Sequence, residues 1–471
     1  MTELWEHQKE AIKRALPLDF YGLFLETGTG KSRTLIEILR AIYARHERQI
    51  PTLIISPVVT LNNWKNEICK YSKITDKAIC VLQGDGKKKV RQLIDGVSKN
   101  KIIVTNYESL LNEELFQLLF DYLRDKASVL VCDESHYAKN PTAKRTKKIL
   151  SLSEASKFRY VLSATPILNS PEDIWSQAYI LDHGERFEKK FHHFKLKYFE
   201  DRNRHMPKAK YFPNWQIKKD ALVVFEAKLA EISMSVKKEE CLDLPPFVKT
   251  EIEVELSAGQ KKHYESVKKD FISYVSNEVA CVASIAIVKA LRMQEISSGY
   301  ISLDNDELIE FTDNPRLDAL EDLVKLHTPN HKIIIWSCFK QNHQMIAKML
   351  RKNKIEFVFL TGAESQQQKF DNMDSFEKDP KVRVCIGSQS VGIGISLLES
   401  SMSIYYSRNF NLGHDIQSEA RNYRAGSERH KSIYRIDLVA KDTLDKDVLS
   451  ALADKKSIGA KILRDFVVKN I

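Results

Sequence analysis

Glu26-Thr-Gly-Thr-Gly-Lys-Ser32 has the residue types and order of a phosphate cradle. Gly28 and Gly30 let the backbone bend so that its N–H groups face phosphate oxygens. Lys31 can reach the β- and γ-phosphates, and Ser32 can ligate Mg²⁺. An apolar, strand-like run (Tyr21–Leu25) precedes the loop and a helix-like run (Thr34–Leu39) follows it. The N-terminus of that helix adds partial positive charge. Leu25 stands where such loops usually open with glycine. ATP is the expected fuel.

Asp133-Glu134-Ser135-His136 follows the buried-looking run Ser128–Cys132. Beside a phosphate loop, Asp133 suits Mg²⁺ and Glu134 suits polarisation of an attacking water. A helix cap would use the same residue types. Ser163-Ala-Thr-Pro166 ends the next run with short hydroxyls that can relay between sites. Late in the chain, Gln417, Arg421 and Arg424 are spaced by four and three, which predicts one helical face. Two arginines aimed at a γ-phosphate would be worth ~10³–10⁵ in rate; a solvated basic helix face is the alternative.

These groups need elements to hold them. Runs at Tyr21–Leu25, Thr52–Ser56, Ala78–Leu82, Lys101–Thr105, Ser128–Cys132 and Tyr160–Ser163 are nearly continuously apolar. That pattern predicts parallel strands buried on both faces, with helices between them. From Trp175 to Arg316 the chain reads mostly helical. Phe187, Phe191, Phe194 and Tyr198 follow a helical stripe, and Val248–Leu256 reads as an extended connector after Leu244-Pro-Pro246. Strand-like runs resume at Lys332–Ser337, Glu356–Leu360, Val382–Ile386, Met402–Tyr406 and Ile433–Val439, and the last ~25 residues read as a charged amphipathic helix. The expected organisation is a first α/β lobe over 1–174, a helical insertion and connector over 175–311, and a second α/β lobe over 312–471.

The chain has 471 residues and a formal net charge of +10, which favours a polyanionic partner. Residues 185–220 hold eleven Lys/Arg against five Asp/Glu and so carry most of that excess. No run of 18 apolar residues and no basic-then-apolar leader occurs, so an intracellular, cytoplasmic location is expected. The seven cysteines are dispersed without a Cys-x-x-Cys pair, which argues against structural zinc.

The ordered set of motifs resembles the superfamily 2 helicase-like ATPases, and within them the Swi/Snf-type DNA translocases. The resemblance runs through Leu4-Trp-Glu-His-Gln8, the phosphate loop, Leu53–Pro57 with Asn63-Trp64, Thr105-Asn-Tyr-Glu108, Asp133–His136 and Ser163–Pro166 with Asn169. It continues through Ile333–Ser337, Gly387–Gly394 and Gln417/Arg421/Arg424. Glu239–Pro246 carries the Swi/Snf likeness, although Ser235-Val-Lys-Lys238 stands where that family has paired arginines. The resemblance implies two RecA-like P-loop NTPase lobes with ATP in the cleft, and a stripped-down motor like phage or bacterial versions.

On this resemblance Gln8, Thr27, Gly28, Thr29, Gly30, Lys31, Ser32 and Gly392 bind ATP. Ser32 and Asp133 hold Mg²⁺, and Lys31, Asp133, Glu134, Gln417, Arg421 and Arg424 are catalytic. Asn63, Trp64, Thr105, Tyr107, Ser388 and Gln389 meet nucleic acid. Lys195, Lys197, Arg202 and Arg204 of the basic segment are added as an extra grip, and Tyr211, Phe212 and Trp215 as a strand-separating wedge. The expected partner is DNA, duplex or forked, held by its phosphates without regard to sequence, with a monomer sufficient. An RNA helicase and a nucleotide-gated clamp that does not travel are the other readings.

Overall fold

The computed structural model describes residues 3–97, 101–124, 127–168, 170–207, 214–277, 283–303, 307–390 and 396–464. The chain divides into two compact units. One comprises Met1–Arg202, Pro213–Leu242 and Lys455–Ile471; the other comprises Asn203–Phe212 and Asp243–Asp454. The segment expected as a separate insertion is thus shared between them.

The first unit is built on a seven-stranded, all-parallel sheet. Its strands are β1 (Phe20–Leu25), β2 (Thr52–Ser56), β3 (Ile79–Val81), β4 (Ile102–Asn106), β5 (Val129–Asp133), β6 (Phe158–Leu162) and, beyond a small hairpin, β9 (Ser233–Val236). The order is β3-β4-β2-β5-β6-β1-β9. Every residue of β2, β4 and β5 is buried, because helices cover both faces. Leu53 and Ile55 point into one apolar layer with the helices Glu113–Leu123, Lys144–Glu154 and Ile174–Asp182. Ile54 points into the other, with Glu6–Ala15, Lys31–Arg45 and Leu61–Tyr71. The sequence reading missed β9, whose Ser-Met-Ser-Val has no apolar run. It pairs with β1 because Gly22 permits the approach: a Cβ there would lie 2.8 Å from Ser233 Cβ.

The hairpin joins β7 (Phe199–Asp201) and β8 (Trp215–Ile217) in antiparallel register. The aromatic stripe beside it is only partly helical. Glu188 adopts φ 66°, and the helix spans Phe191–Tyr198. Phe187 therefore lies outside it, yet its ring still packs 6.0 Å from Phe194 and 4.9 Å from Phe225.

The second unit carries a six-stranded parallel sheet, in the order β10-β17-β16-β13-β15-β14. Its strands are β10 (Phe247–Val254), β13 (Lys332–Ser337), β14 (Glu356–Leu360), β15 (Val382–Ser388), β16 (Ser400–Tyr405) and β17 (Ile433–Ala440); a two-stranded ribbon, β11 (Tyr300–Ser302) and β12 (Leu308–Glu310), lies apart from it. The expected connector is β10, an edge strand paired with β17 over eight residues. Lys249, Glu251 and Glu253 along it keep that edge charged. Ile333 and Ile335 enter a layer with the helices Pro315–His327 and Lys340–Lys352, while Ile334 and Trp336 enter the opposite one. The last described helix is Leu444–Arg464. Among the described residues no helix is long and apolar enough to cross a membrane.

Candidate nucleotide site

Neighbouring strands β5, β6 and β1 deliver Asp133–Glu134, Ser163–Thr165 and the loop Glu26–Gly30 to one carboxyl edge of the first sheet. Ligands of open parallel sheets bind at such edges. Gly28 and Gly30 have φ of 93° and 84°, a left-handed region that side chains resist. A Cβ on Gly30 would also sit 2.1 Å from Gln8 Nε2. Gln8 is buried and donates to the Thr29 carbonyl at 3.4 Å; His7 Nε2 donates to the same oxygen at 2.8 Å. The Thr29 hydroxyl donates to Glu26 O at 2.7 Å. Lys31 Nζ donates to Leu25 O at 2.9 Å, and Ser32 lies in the first turn of the helix Lys31–Arg45. Thr27 is half-buried in the loop.

The loop's first residue is held from β9. Glu26 N–H donates to Val236 O at 3.0 Å, and Glu26 Oε2 accepts from Lys238 N–H at 3.2 Å. Ser235–Lys238 thus braces the loop through its backbone, whatever the loss of the family's arginines.

Asp133 sits in a web of donors. Asp133 Oδ2 accepts from Trp64 Nε1 at 2.9 Å, its Oδ1 from Glu134 N–H at 3.0 Å, and its carbonyl from the Tyr107 hydroxyl at 2.7 Å. Burial, and then the Glu134 carboxylate beside it, pushes Asp133 up to about 7, against the pull of Trp64 and of the Lys31 ammonium. Glu134 adopts φ 50°, a conformation that surrounding contacts must enforce in a residue with a side chain. Its Oε2 lies 3.3 Å from His136 Nδ1, which is 3.1 Å from Ser163 Oγ; that hydroxyl accepts from Thr165 N–H at 3.1 Å. Burial lowers the His136 pKa and so favours its neutral form. This series joins the end of β5 to the end of β6. Two adjacent carboxylates with the Ser32 hydroxyl are a hard-oxygen set of the kind Mg²⁺ takes, and a carboxyl raised by a like-charged neighbour is one a divalent cation would relieve.

In the second unit, Gln417 lies on the helix Leu412–Glu419, but Arg421 and Arg424 do not. They occupy the turn after it, so the single helical face is corrected. Arg421 still returns to Gln417, its Nε donating to the Gln417 carbonyl at 2.7 Å. Gln417 and Arg421 are buried and Arg424 is half-buried. Gly392 and Asn169 lie outside the described residues.

Residues 8–316 match the SNF2-related domain and residues 315–426 the helicase conserved C-terminal domain. The chain belongs to the SNF2 family. It is 25% identical to the "Uncharacterized ATP-dependent helicase MG018" of Mycoplasma genitalium, over 98% of this chain and 42% of that protein. It is 25% identical to the "SWI/SNF-related matrix-associated actin-dependent regulator of chromatin subfamily A-like protein 1 homolog" of Caenorhabditis elegans, over 97% of this chain and 61% of that protein. Identity to "Putative protein p41" of Acyrthosiphon pisum secondary endosymbiont phage 1 is 23%, over 96% of both chains. The chain therefore spans under two thirds of the first two relatives. Among solved structures it is similar to the Sulfolobus solfataricus SWI2/SNF2 ATPase core in complex with dsDNA, with 21% identity, 100% and 94% coverage, and TM-score 0.44.

Within this SNF2 chain the residues read as nucleic-acid contacts separate into two groups. Trp64, Thr105 and Tyr107 are at most 2% exposed. Trp64 and Tyr107 are turned onto Asp133, so they are supports of the acidic pair and not surface contacts. Ser388 and Gln389 are also buried, at the end of β15. Asn63 is exposed and donates to Glu67 at 3.2 Å. In the basic segment, Lys195 faces Glu172 at 3.3 Å and lies 4.2 Å from the Trp215 ring, which fixes that tryptophan within the hairpin base. Lys197 pairs with Glu188. Arg202 and Arg204 are exposed, with Arg202 3.6 Å from Glu200. Tyr211 and Phe212 lie outside the described residues. The Trp64–Asp133 bond spans 69 positions and left no local signal in the sequence.

Proposed function

We propose that this chain is the motor core of an ATP-driven DNA translocase or helicase. The observation that carries the reading is the Asp133–Glu134 pair, Asp133 buried and Glu134 half-buried, held at the same sheet edge as the phosphate loop and close enough to Lys31 for its charge to bear on Asp133. Membership of the SNF2 family supports it.

In this reading the loop N–H groups of Thr27–Gly30 receive the triphosphate. Lys31 exchanges the Leu25 carbonyl for phosphate oxygens, and Gln8, already packed on Gly30 and Thr29, positions the loop against the base. Ser32 and Asp133 would hold Mg²⁺, which when bound neutralises charge on the β- and γ-phosphates. Glu134, kept in place by its left-handed backbone and by His136, orients the attacking water and takes its proton. Arg421 and Arg424 are assigned to the charge that develops on the γ-phosphate, with Gln417 beside them. Asn63, Arg202 and Arg204 are the described candidates for polyanion contact, by charge and hydrogen bonding without sequence reading.

The test is ATP hydrolysis with duplex DNA, single-stranded DNA, forked DNA and RNA, with displacement of a bound obstacle measured in parallel. DNA-stimulated turnover with displacement is the expected result. Stimulation by RNA alone, or turnover without displacement, would overturn it in favour of an RNA helicase or a stationary clamp.

A further inference from the structure

Arg435 of β17 uses every edge of its guanidinium on a carboxylate. Its Nη2 donates to both oxygens of Asp415, at 2.9 and 3.1 Å; its Nη1 donates to Glu419 Oε2 at 2.5 Å; its Nε donates to Asp437 Oδ1 at 3.1 Å. Asp415 and Glu419 are four apart on the helix Leu412–Glu419, so one arginine grips one face of it twice. Arg408 binds Asp437 from the other side. The Tyr405 ring meets both guanidinium groups, 4.4 Å from Arg408 Cζ and 4.2 Å from Arg435 Cζ, and its hydroxyl meets Ser418 Oγ at 3.0 Å on the same helix.

The turn beyond the helix is tied to β16 and to the residues just before it. Asn422 donates to Ser400 O at 3.2 Å and accepts from Ser403 Oγ at 3.2 Å, and the Arg421 carbonyl accepts from Leu397 N–H at 3.0 Å. A cluster built only to stabilise a sheet would have no need to converge on the one short helix that carries Gln417 and opens into Arg421 and Arg424. A buried, fork-shaped arginine is costly to place and strict in geometry, which suits holding a register better than adding stability.

We infer that Arg435, backed by Tyr405, is a positioning residue that sets the rotation of the Leu412–Glu419 helix and so the presentation of Arg421 and Arg424 for hydrolysis. The inference rests on the role proposed above for those two arginines.

The experiment is steady-state ATP hydrolysis, at saturating DNA, by the full chain carrying Arg435→Gln, Glu419→Ala, Arg424→Ala and the double variants, with ATP affinity and thermal unfolding measured on each. Arg435→Gln removes the arginine shared by three carboxylates, with Arg408 still on Asp437; Glu419→Ala removes one arm of the grip, leaves Asp415 and Asp437 paired, and decides the matter if the first variant does not fold. The expected result is a kcat lowered about 10- to 100-fold with KM for ATP held, as for other small misplacements of catalytic groups. The loss should be strongly sub-additive with Arg424→Ala. Additive losses, or kcat falling only in step with folded fraction, would overturn it. Full turnover by Arg424→Ala would sink the arginine's proposed role and this inference together. A disabled Arg424→Ala beside an unaltered Glu419→Ala would sink the inference alone.

Discussion

The carboxyl edge of the first sheet and the β16–β17 pair of the second treat buried charge in opposite ways. At the edge of the first sheet, Asp133 and Glu134 adjoin with few cations near them, and Asp133 is pushed up to about 7. On β17 of the second, Arg435 faces Asp415, Glu419 and Asp437 and its pKa is raised, while burial and then Arg435 lower Arg408 to about 10. The first is left short of positive charge; the second is internally neutralised. On the proposed function, the first must take up a cation with a triphosphate, and it keeps unspent negative charge where the cation would go. A site that must hold a helix still has its charges matched within the fold.

The sharpest way to break this comparison is to remove the chemistry from the first edge. Lys31→Ala and Glu134→Gln should each lower ATP turnover by about 10²–10³-fold or more, with thermal unfolding unchanged. Retained turnover would mean the edge is acidic for structural reasons only.

Removing the unspent charge should have the next largest effect, and its sign depends on pH. The folded protein holds the Asp133 proton to about pH 7, whereas an unfolded chain releases it near the ordinary 3.8, so this residue's contribution to stability is lost as pH rises through that window. In chelator, Asp133→Asn should therefore stabilise the fold at pH 7 and above by on the order of 1–3 kcal/mol, with the gain shrinking toward pH 4. A melting-temperature difference that does not vary with pH would contradict it.

Trp64→Phe keeps the ring and deletes the donor to Asp133. A loss of about 1–2 kcal/mol is expected, because a bond to a buried charged group goes unmade. Thermal unfolding at neutral pH measures it, and an unchanged midpoint would mean that other donors already satisfy Asp133.

The smallest effect concerns the basic segment. Arg202→Gln with Arg204→Gln should flatten the salt dependence of DNA binding by up to ~0.9 per lost phosphate contact. Lys195→Gln with Lys197→Gln should change it less, since each lysine faces a glutamate more closely than Arg202 faces Glu200. Equal slopes for the two pairs would show that those ion pairs open on binding.

Much of the site's inventory was written in local sequence. The phosphate loop lies between a strand and a helix, the acids follow an apolar run, and each motif needs only neighbours a few residues away. The same holds for the central strands, since apolar runs in a doubly covered sheet need no partner to be recognised. Orientation was harder to read. Helical spacing put Arg421 and Arg424 on one face with Gln417, yet the helix stops at Glu419, where the next residues are tied to Ser400 and Leu397. Strand β9 was invisible because its pairing depends on the missing side chain of Gly22.

Residue order alone therefore settled the class of the fold and the family likeness, and marked the phosphate loop and the acidic pair as candidates, because each is a short-range pattern. Folding in three dimensions decided that Trp64 and Tyr107 turn inward onto Asp133, that Ser235–Lys238 braces Glu26, and that Arg435 grips the Leu412–Glu419 helix. Each of those contacts joins groups far apart in the chain, and where a buried donor finds its acceptor depends on which strands lie side by side.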